Sequence, residues 1–437
     1  MLPPVLVMNA YYSGIGIARS LHGIGTRVYA LSSERDAPGI RSRYFHAVYD
    51  VPNGRDEPER LRDRLLELRG RFDERPVLFP TRDFDVLFLH NHRNALELAY
   101  LLPQPAESPI LRMMDKFEMA IVAEQQGIPT PATLLCRSPA ELEQHIQKLR
   151  FPVVVKPQFA YQWRRKGTWE KVGAKAIIAQ SAEELRLQYR RLAELTPEIM
   201  LQQYIGGDDR DIVVCCCYVD RRGELLGYFT GRKLKQNPPL VGTGSVVEAA
   251  EVAFILEPTL RLLKAFGYAG LAEVEFKYDA ASGRYFLIEV NPRHWDQHEL
   301  GTLVGVNLTR IAYSDIIGVG AATVRPCYEP GRQYKWIAER ELVHAIAQRI
   351  KREVHANRAT TGWVRASLGA LVRALRDSYG LLRGKRVFGI LKLRDPLPAV
   401  AMCLGLLSNA LQFLAAGPRR GAEAPPRIGE AGKDGRL

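Results

Sequence analysis

The stretch FLIEVNPRHWDQH, residues 286–298, limits what this chain can fold into more than any other. A short apolar run (Phe286, Leu287, Ile288, Val290) carries Glu289, Asn291 and Arg293 at a spacing of two, which an extended chain sends to one side. The segment before it, AGLAEVEFKYDAASGRYFLIEVN, reads as a hairpin turning at Ser282-Gly283, with Glu273 and Glu275 on one face of its first strand. Paired, the two strands gather three carboxylates and an amide. Buried acids without partners are costly, so the patch calls for a cation. An oxygen-only donor set suits magnesium, which keeps water and phosphate among its ligands. The competing reading is a solvated sheet face whose acids pair with arginines. Lys156 closes the apolar strand FPVVVKP, where a phosphate would compensate it; a snorkelling lysine at a strand end is the plainer alternative.

Around this hairpin the pattern is mixed α/β. Residues 1–108 alternate strand and helix signals (PVLVMNA, GIGIARSLHGIG, TRVYALSS, PERLRDRLLELRGRF, PVLFPT), as in a doubly wound unit. Gly14 and Gly16 form only a partial dinucleotide fingerprint, and we read them as glycines of a tight turn beside a ligand. Asn9, Ser13, Thr81 and Asp83 fall at strand ends where such sheets bind ligands. From 109 to 327 the style changes to α+β: Asp115 caps a helix that Gly127 stops, and Cys215-Cys216-Cys217 sit inside a strand. The six cysteines show no metal spacing and fit small buried residues in a reducing compartment, without a secretory signal ahead of them.

Charge divides the chain unevenly. Of the net charge of +13, +11 falls on residues 328–437. Residues 328–418 read as a basic helical region, with Val364, Leu368, Leu371, Leu375, Tyr379 and Leu382 at steps of three and four; 419–437 reads as disordered. The stretch PLPAVAMCLGLLSNALQFLAAG is too interrupted for a membrane span. Two readings of the tail stand side by side: docking on the inner face of an anionic membrane by a cytoplasmic protein, or packing on the body or on a second copy. Aromatic interleaving of the kind nucleic-acid platforms use is missing.

The ordered string DK…GIPTP, FPVVVKP, MLQQYIGGDD, AEVEF and LIEVNPR resembles the ATP-grasp superfamily, specifically its carboxylate–amine ligases, over residues 1 to about 325. The resemblance implies a pre-grasp α/β domain (1–108) and a two-lobed ATP-grasp domain (109–327). It implies ATP between two sheets, with Lys116 and Lys156 near the phosphates, Gln202, Gln203, Tyr204 and Ile205 along the adenine, and Asp209 at the ribose, with Asp208 and Asp211 as its rivals. It further implies Glu275, Glu289 and Asn291 as ligands of Mg2+ (two ions, with Mn2+ as a substitute), Arg293 on the transferring phosphoryl group, and Arg232 and Lys233 facing the phosphates. The small-molecule substrates would be a carboxylate and an amine, an amino acid or cell-envelope precursor among them. One departure stands out: the phosphate loop, usually glycine-rich, reads QFAYQWRRKGTWEKVGAK, leaving Arg164, Arg165, Lys166, Lys171 or Lys175 to supply charge instead. His294 and His298 are read as lining the substrate pocket or capping the next helix, with a zinc pair as the alternative. The rival functions are a nucleotide-binding scaffold without turnover and an oxidoreductase built on the Gly14–Gly16 turn.

Overall fold

The computed structural model describes residues 2–415, apart from 108, 165, 166, 197 and scattered positions between 345 and 382; for 407 and 409–415 it describes the backbone alone. Three sheets organise it. The first is parallel, in the order β3-β2-β1-β4, from β1 (Val5–Met8), β2 (Val28–Ser32), β3 (Ala47–Asp50) and β4 (Val77–Phe79). The second, order β5-β8-β6-β7, is antiparallel: β5 (Thr133–Cys136), β6 (Val153–Pro157), β7 (Ile177–Ala179) and β8 (Ile199–Gln203). The third has seven strands, β13-β12-β9-β10-β11-β14-β15. Its members are β9 (Ile212–Val219), β10 (Leu225–Asn237), β11 (Thr243–Ala249), β12 (Gly270–Asp279), β13 (Arg284–Asn291), β14 (Tyr334–Ile337) and β15 (Lys385–Phe388).

Local sequence accounts for these elements. Asp115 caps the helix Lys116–Gln125, accepting from the amides of Phe117 and Glu118 at 2.9 and 3.1 Å. The three adjacent cysteines alternate faces of β9: Cys216 enters the core shared with the parallel sheet, and Cys215 and Cys217 the opposite core. The glycines at 14 and 16 lie inside the helix Tyr12–Ser20 and serve close packing. A Cβ on Gly14 would come 2.0 Å from the Asn9 carbonyl oxygen, and one on Gly16 2.5 Å from His298 Nε2.

The region after residue 328 departs from the helical expectation at two places. Tyr334–Ile337 and Lys385–Phe388 are strands that extend the seven-stranded sheet. Trp336 and Ile337 are fully buried, so tertiary burial outweighs local helical pattern there. Of the residues read as an apolar stripe, Tyr379 is exposed, and Val364, Leu368, Leu371, Leu375 and Leu382 lie outside the described residues. Among the described residues no helix is long and apolar enough to cross a membrane.

Arg19, in the helix Tyr12–Ser20, joins that helix to Glu299 and to residues 389–395. Its guanidinium donates to the carbonyls of Gly389 (3.0 Å) and Ile390 (2.6 Å) and meets Asp395 at 3.4 Å and Glu299 at 3.8 Å. Asp395 accepts in turn from Ser42 Oγ and the Arg43 amide, and Glu339 accepts from the amides of Ile390 and Leu391. Removing one partner strands the others in a buried setting, at a cost of about 3–5 kcal/mol. Arg19→Met should therefore lower the melting temperature and speed hydrogen exchange at the Ile390 and Leu391 amides; unchanged exchange there would show that the segment is held independently of Arg19.

Candidate active site

Strand register builds the floor of the site. Across β12 and β13, Glu273 faces Asn291 and Glu275 faces Glu289. The register slips between Glu275 and Phe276, whose partners are Glu289 and Leu287, leaving Ile288 as the extra residue of a bulge. Leu287 and Val290 then both enter the core, while Ile288 and Glu289 both line a cavity of about 300 Å3. Bulges re-aim side chains in this way next to active sites. Lys233 on β10 reaches the same floor, its Nζ donating to Glu275 Oε2 at 2.6 Å.

The β5–β8 sheet supplies the facing wall. Lys156 lies at the end of β6 and is buried; Gln202 and Gln203 end β8, and Tyr204 and Ile205 follow it along the cavity. Lys116, first residue of its helix, pairs with Glu289. Arg164 and Lys175, from the segment that joins β6 to β7, complete this side. At the far end lie Thr81, Arg82, Asp296 and Gln297, beside the C-terminal ends of β1 and β4. Ser13 Oγ donates to Asp296 Oδ1 at 2.7 Å. Arg293 donates to Asp83 at 2.6 Å and to Asn291 Oδ1 at 3.1 Å.

The two walls differ in charge, and the protonation equilibria follow. Burial, then the neighbouring Lys116, brings Lys156 down to about 7. Burial, then Arg164, brings Lys175 down to about 8. Burial alone would raise Glu289, but Lys116 above all, with Lys156 and Lys175, holds it well below the usual carboxylate range. Burial likewise works against the Lys233 ammonium, and Glu275 more than offsets it. Glu273 behaves differently: burial and the adjacent Glu275 lift it to about 8, and it accepts from Asn291 Nδ2 and from Gln297. Lysines crowded together in this way, partly discharged, are a site for an anion of high charge.

Among the described residues no three His, Cys, Asp or Glu side chains form a ready metal cage. Glu275 and Glu289 are instead each neutralised by a lysine. That donor set fits magnesium only with phosphate oxygens and water completing the shell, the ordinary habit of this ion. Glu275, Glu289 and Asn291 are oxygen-bearing side chains of the floor that would hold it.

Two expected residues lie elsewhere. Arg232 is exposed and absent from the cavity lining, because neighbours on a strand alternate faces and Lys233 takes the inward one. Asp209 is buried but faces the scaffold: its two oxygens accept from the amides of Gln236 (2.9 Å) and Leu240 (2.8 Å), fixing the loop that bounds the cavity. His294 and His298 are buried and share the Thr309 hydroxyl at 3.2 Å each. Burial first, then His298 and Arg293, holds His294 far below its usual range, and burial brings His298 down to about 4, so the pair is neutral; it does not line this cavity, and His298 stands at the N-cap of the helix Glu299–Leu303 without a side-chain capping bond. Sequence reasoning missed Ile288, Asp296 and Gln297 as cavity residues; the bulge that turns Ile288 inward leaves no mark in the residue pattern.

Residues 113–221 match the RimK-like ATP-grasp domain family, and residues 208–320 match the carbamoyl-phosphate synthase L chain ATP binding domain. The chain is 26% identical over 328 residues to a D-aspartate ligase of Enterococcus faecium, covering 71% of this chain and 76% of that one. It is 27% identical over 188 residues to a D-alanine–D-alanine ligase of Ectopseudomonas mendocina, covering 41% of this chain and 55% of the relative. In structure it resembles the ADP complex of purK, N5-carboxyaminoimidazole ribonucleotide synthetase, with a TM-score of 0.61 at 14% identity over 81% of this chain and 86% of that one. The chain thus carries a stretch that matches the RimK-like ATP-grasp domain family and is similar, over most of its length, to an ATP-grasp carboxylate–amine ligase.

Proposed function

We propose that this chain joins a carboxylate to an amine, spending ATP through an acyl phosphate and releasing ADP and phosphate. The single observation that carries the reading is the opposition of two charge sets across one cavity: Glu275, Glu289 and Asn291 on the floor, Lys116, Lys156 and Lys233 around them. The names of the relatives, a D-aspartate ligase and a D-alanine–D-alanine ligase, support an amino acid as one substrate.

In this reading Gln202–Ile205 hold the adenine end and Lys116 and Lys156 take the phosphates, Lys116 exchanging Glu289 for a phosphate oxygen. Magnesium, one ion or two, held by Glu275, Glu289 and Asn291, would supply charge withdrawal from the triphosphate. The substrate carboxylate enters from the Thr81–Arg82–Asp296 end, and one of its oxygens attacks the γ-phosphorus as the bond to ADP breaks. Arg293, oriented by Asp83 and Asn291, spreads the charge on the transferring group. The amine then attacks the carbonyl carbon, phosphate leaves, and the amine gives up a proton to solvent or to a neighbouring base.

Glu289→Gln should lower amino-acid-dependent phosphate release by about 100- to 1000-fold, the usual cost of removing one electrostatic group from such a site. Release that persists at the wild-type rate would contradict the reading; magnesium-dependent ATP binding without release under any amino acid panel would favour the scaffold alternative.

Lys156 gives a pH signature. Its folded value of about 7 in the nucleotide-free protein rises when phosphate pairs with it, so binding takes up a proton between the free and bound values. ATP affinity is then greatest below about pH 7 and declines as pH rises above it. Calorimetry at pH 8 in buffers of different ionisation heat should show proton uptake; identical heats in all buffers would exclude this coupling.

A further inference from the structure

The segment that should cover the phosphates lacks the glycines that let backbone amides approach an anion, and the structure points to what stands in their place. Of its basic residues in the described part, Lys171 is exposed, and only Arg164 and Lys175 line the cavity. Their settings differ. Arg164 donates to Asp83 at 3.0 Å, a carboxylate already held by Arg293, and Arg55 donates to the Arg164 carbonyl at 2.8 Å. Arg164 is therefore anchored to the first domain by a full ionic partner.

Lys175 has no such partner. Its Nζ reaches across the cavity to the hydroxyl of Thr243, at the start of β11 on the opposite sheet. That neutral hydroxyl is its one hydrogen-bond partner among the described residues, although an ammonium carries three donors. The reach is also braced. Trp163 and Val172 are buried in the core of the β5–β8 sheet, Gly173 turns the chain at φ +68°, and β7 begins at Ile177. Lys175 thus projects from this base into the cavity, within electrostatic reach of Glu289, Glu275 and Lys233.

We propose that Lys175 is the group that grips the terminal phosphate of the nucleoside triphosphate, a side-chain charge replacing the backbone amides of a glycine-rich loop. The Arg164–Asp83 pair holds the segment across the opening so that Lys175 stays in place. In the nucleotide-free protein the ammonium rests on Thr243, a neutral partner that a phosphate oxygen displaces easily. Lys175 consequently separates triphosphate from diphosphate, whereas Lys116 and Lys156 serve both. The inference rests on the ATP reading above.

Nucleotide binding in the presence of magnesium, measured by calorimetry for ATP and for ADP, tests it. Lys175→Gln should weaken ATP by about tenfold or more and ADP by less than about twofold, and Lys175→Arg should recover most of the loss. Equal weakening of the two nucleotides, or weakening of neither, would overturn the assignment. Wild-type protein gives a second measurement that needs no variant: labelling with an amine-reactive reagent, read by mass spectrometry, should show Lys175 protected by ATP and not by ADP. Protection that is equal for both or absent for both would overturn it too. Wild-type protein that binds neither nucleotide would instead sink the underlying ATP reading, so the two failures are distinct.

Discussion

Two carboxylates placed side by side by strand register are the constraint on which the rest of this structure depends. Glu275 and Glu289 face each other across β12 and β13, and like charges at that separation repel. The protein offsets the repulsion with Lys233 on one acid and Lys116 on the other, and those lysines are in turn held within reach of Lys156 and Lys175. The result is a cavity balanced without a ligand yet ready to re-partition. A polyphosphate that draws the lysines away leaves the acids exposed to each other, and a divalent cation arriving with it restores the balance. In the proposed reading nucleotide and metal binding would be coupled by this arrangement, because either one alone would leave a charge set unpaired.

The scaffold explains why the arrangement holds. Each contributing side chain comes from a regular element or its immediate end: Lys156 from β6, Lys233 from β10, Glu275 from β12, Glu289 from β13, and Lys116 from a helix N-terminus. The bulge at Ile288 lets β13 bury Leu287 and Val290 while turning Glu289 to the cavity. The first domain closes the far end through Asp83, which fixes Arg293 and, through Arg164, the covering segment. Burial pushes Asp83 up, but Arg293 and Arg164 outweigh it and keep its carboxyl below the ordinary range, so both contacts are ionic.

Period-two spacing made Glu273, Glu275, Glu289 and Asn291 legible in the sequence, since alternation on paired strands is a direct consequence of backbone geometry. Lys116 and Lys156 were legible by their places at an element end. The same alternation separates Arg232 from Lys233, a distinction that needed the strand's orientation relative to the cavity. Asp209 illustrates a different limit: an acid beside two others in GGDD could serve a ligand or a loop, and only the amides of Gln236 and Leu240 decide between them. Tyr334–Ile337 pairs with β11, about 90 residues earlier, and Lys385–Phe388 pairs with Tyr334–Ile337, 51 residues earlier, partners that no local pattern reveals. Gly14 and Gly16 read as a tight turn beside a ligand because close packing and ligand approach both require the absence of a Cβ.

The coupling of metal to nucleotide is the account's central claim, and manganese paramagnetic resonance tests it most directly. Titrating Mn2+ into the protein with and without a non-hydrolysable ATP analogue should give tight ion binding only when the analogue is present, and Glu275→Gln should abolish that gain. Ion binding that is equally tight without the analogue, or a gain that survives the loss of Glu275, would contradict the account.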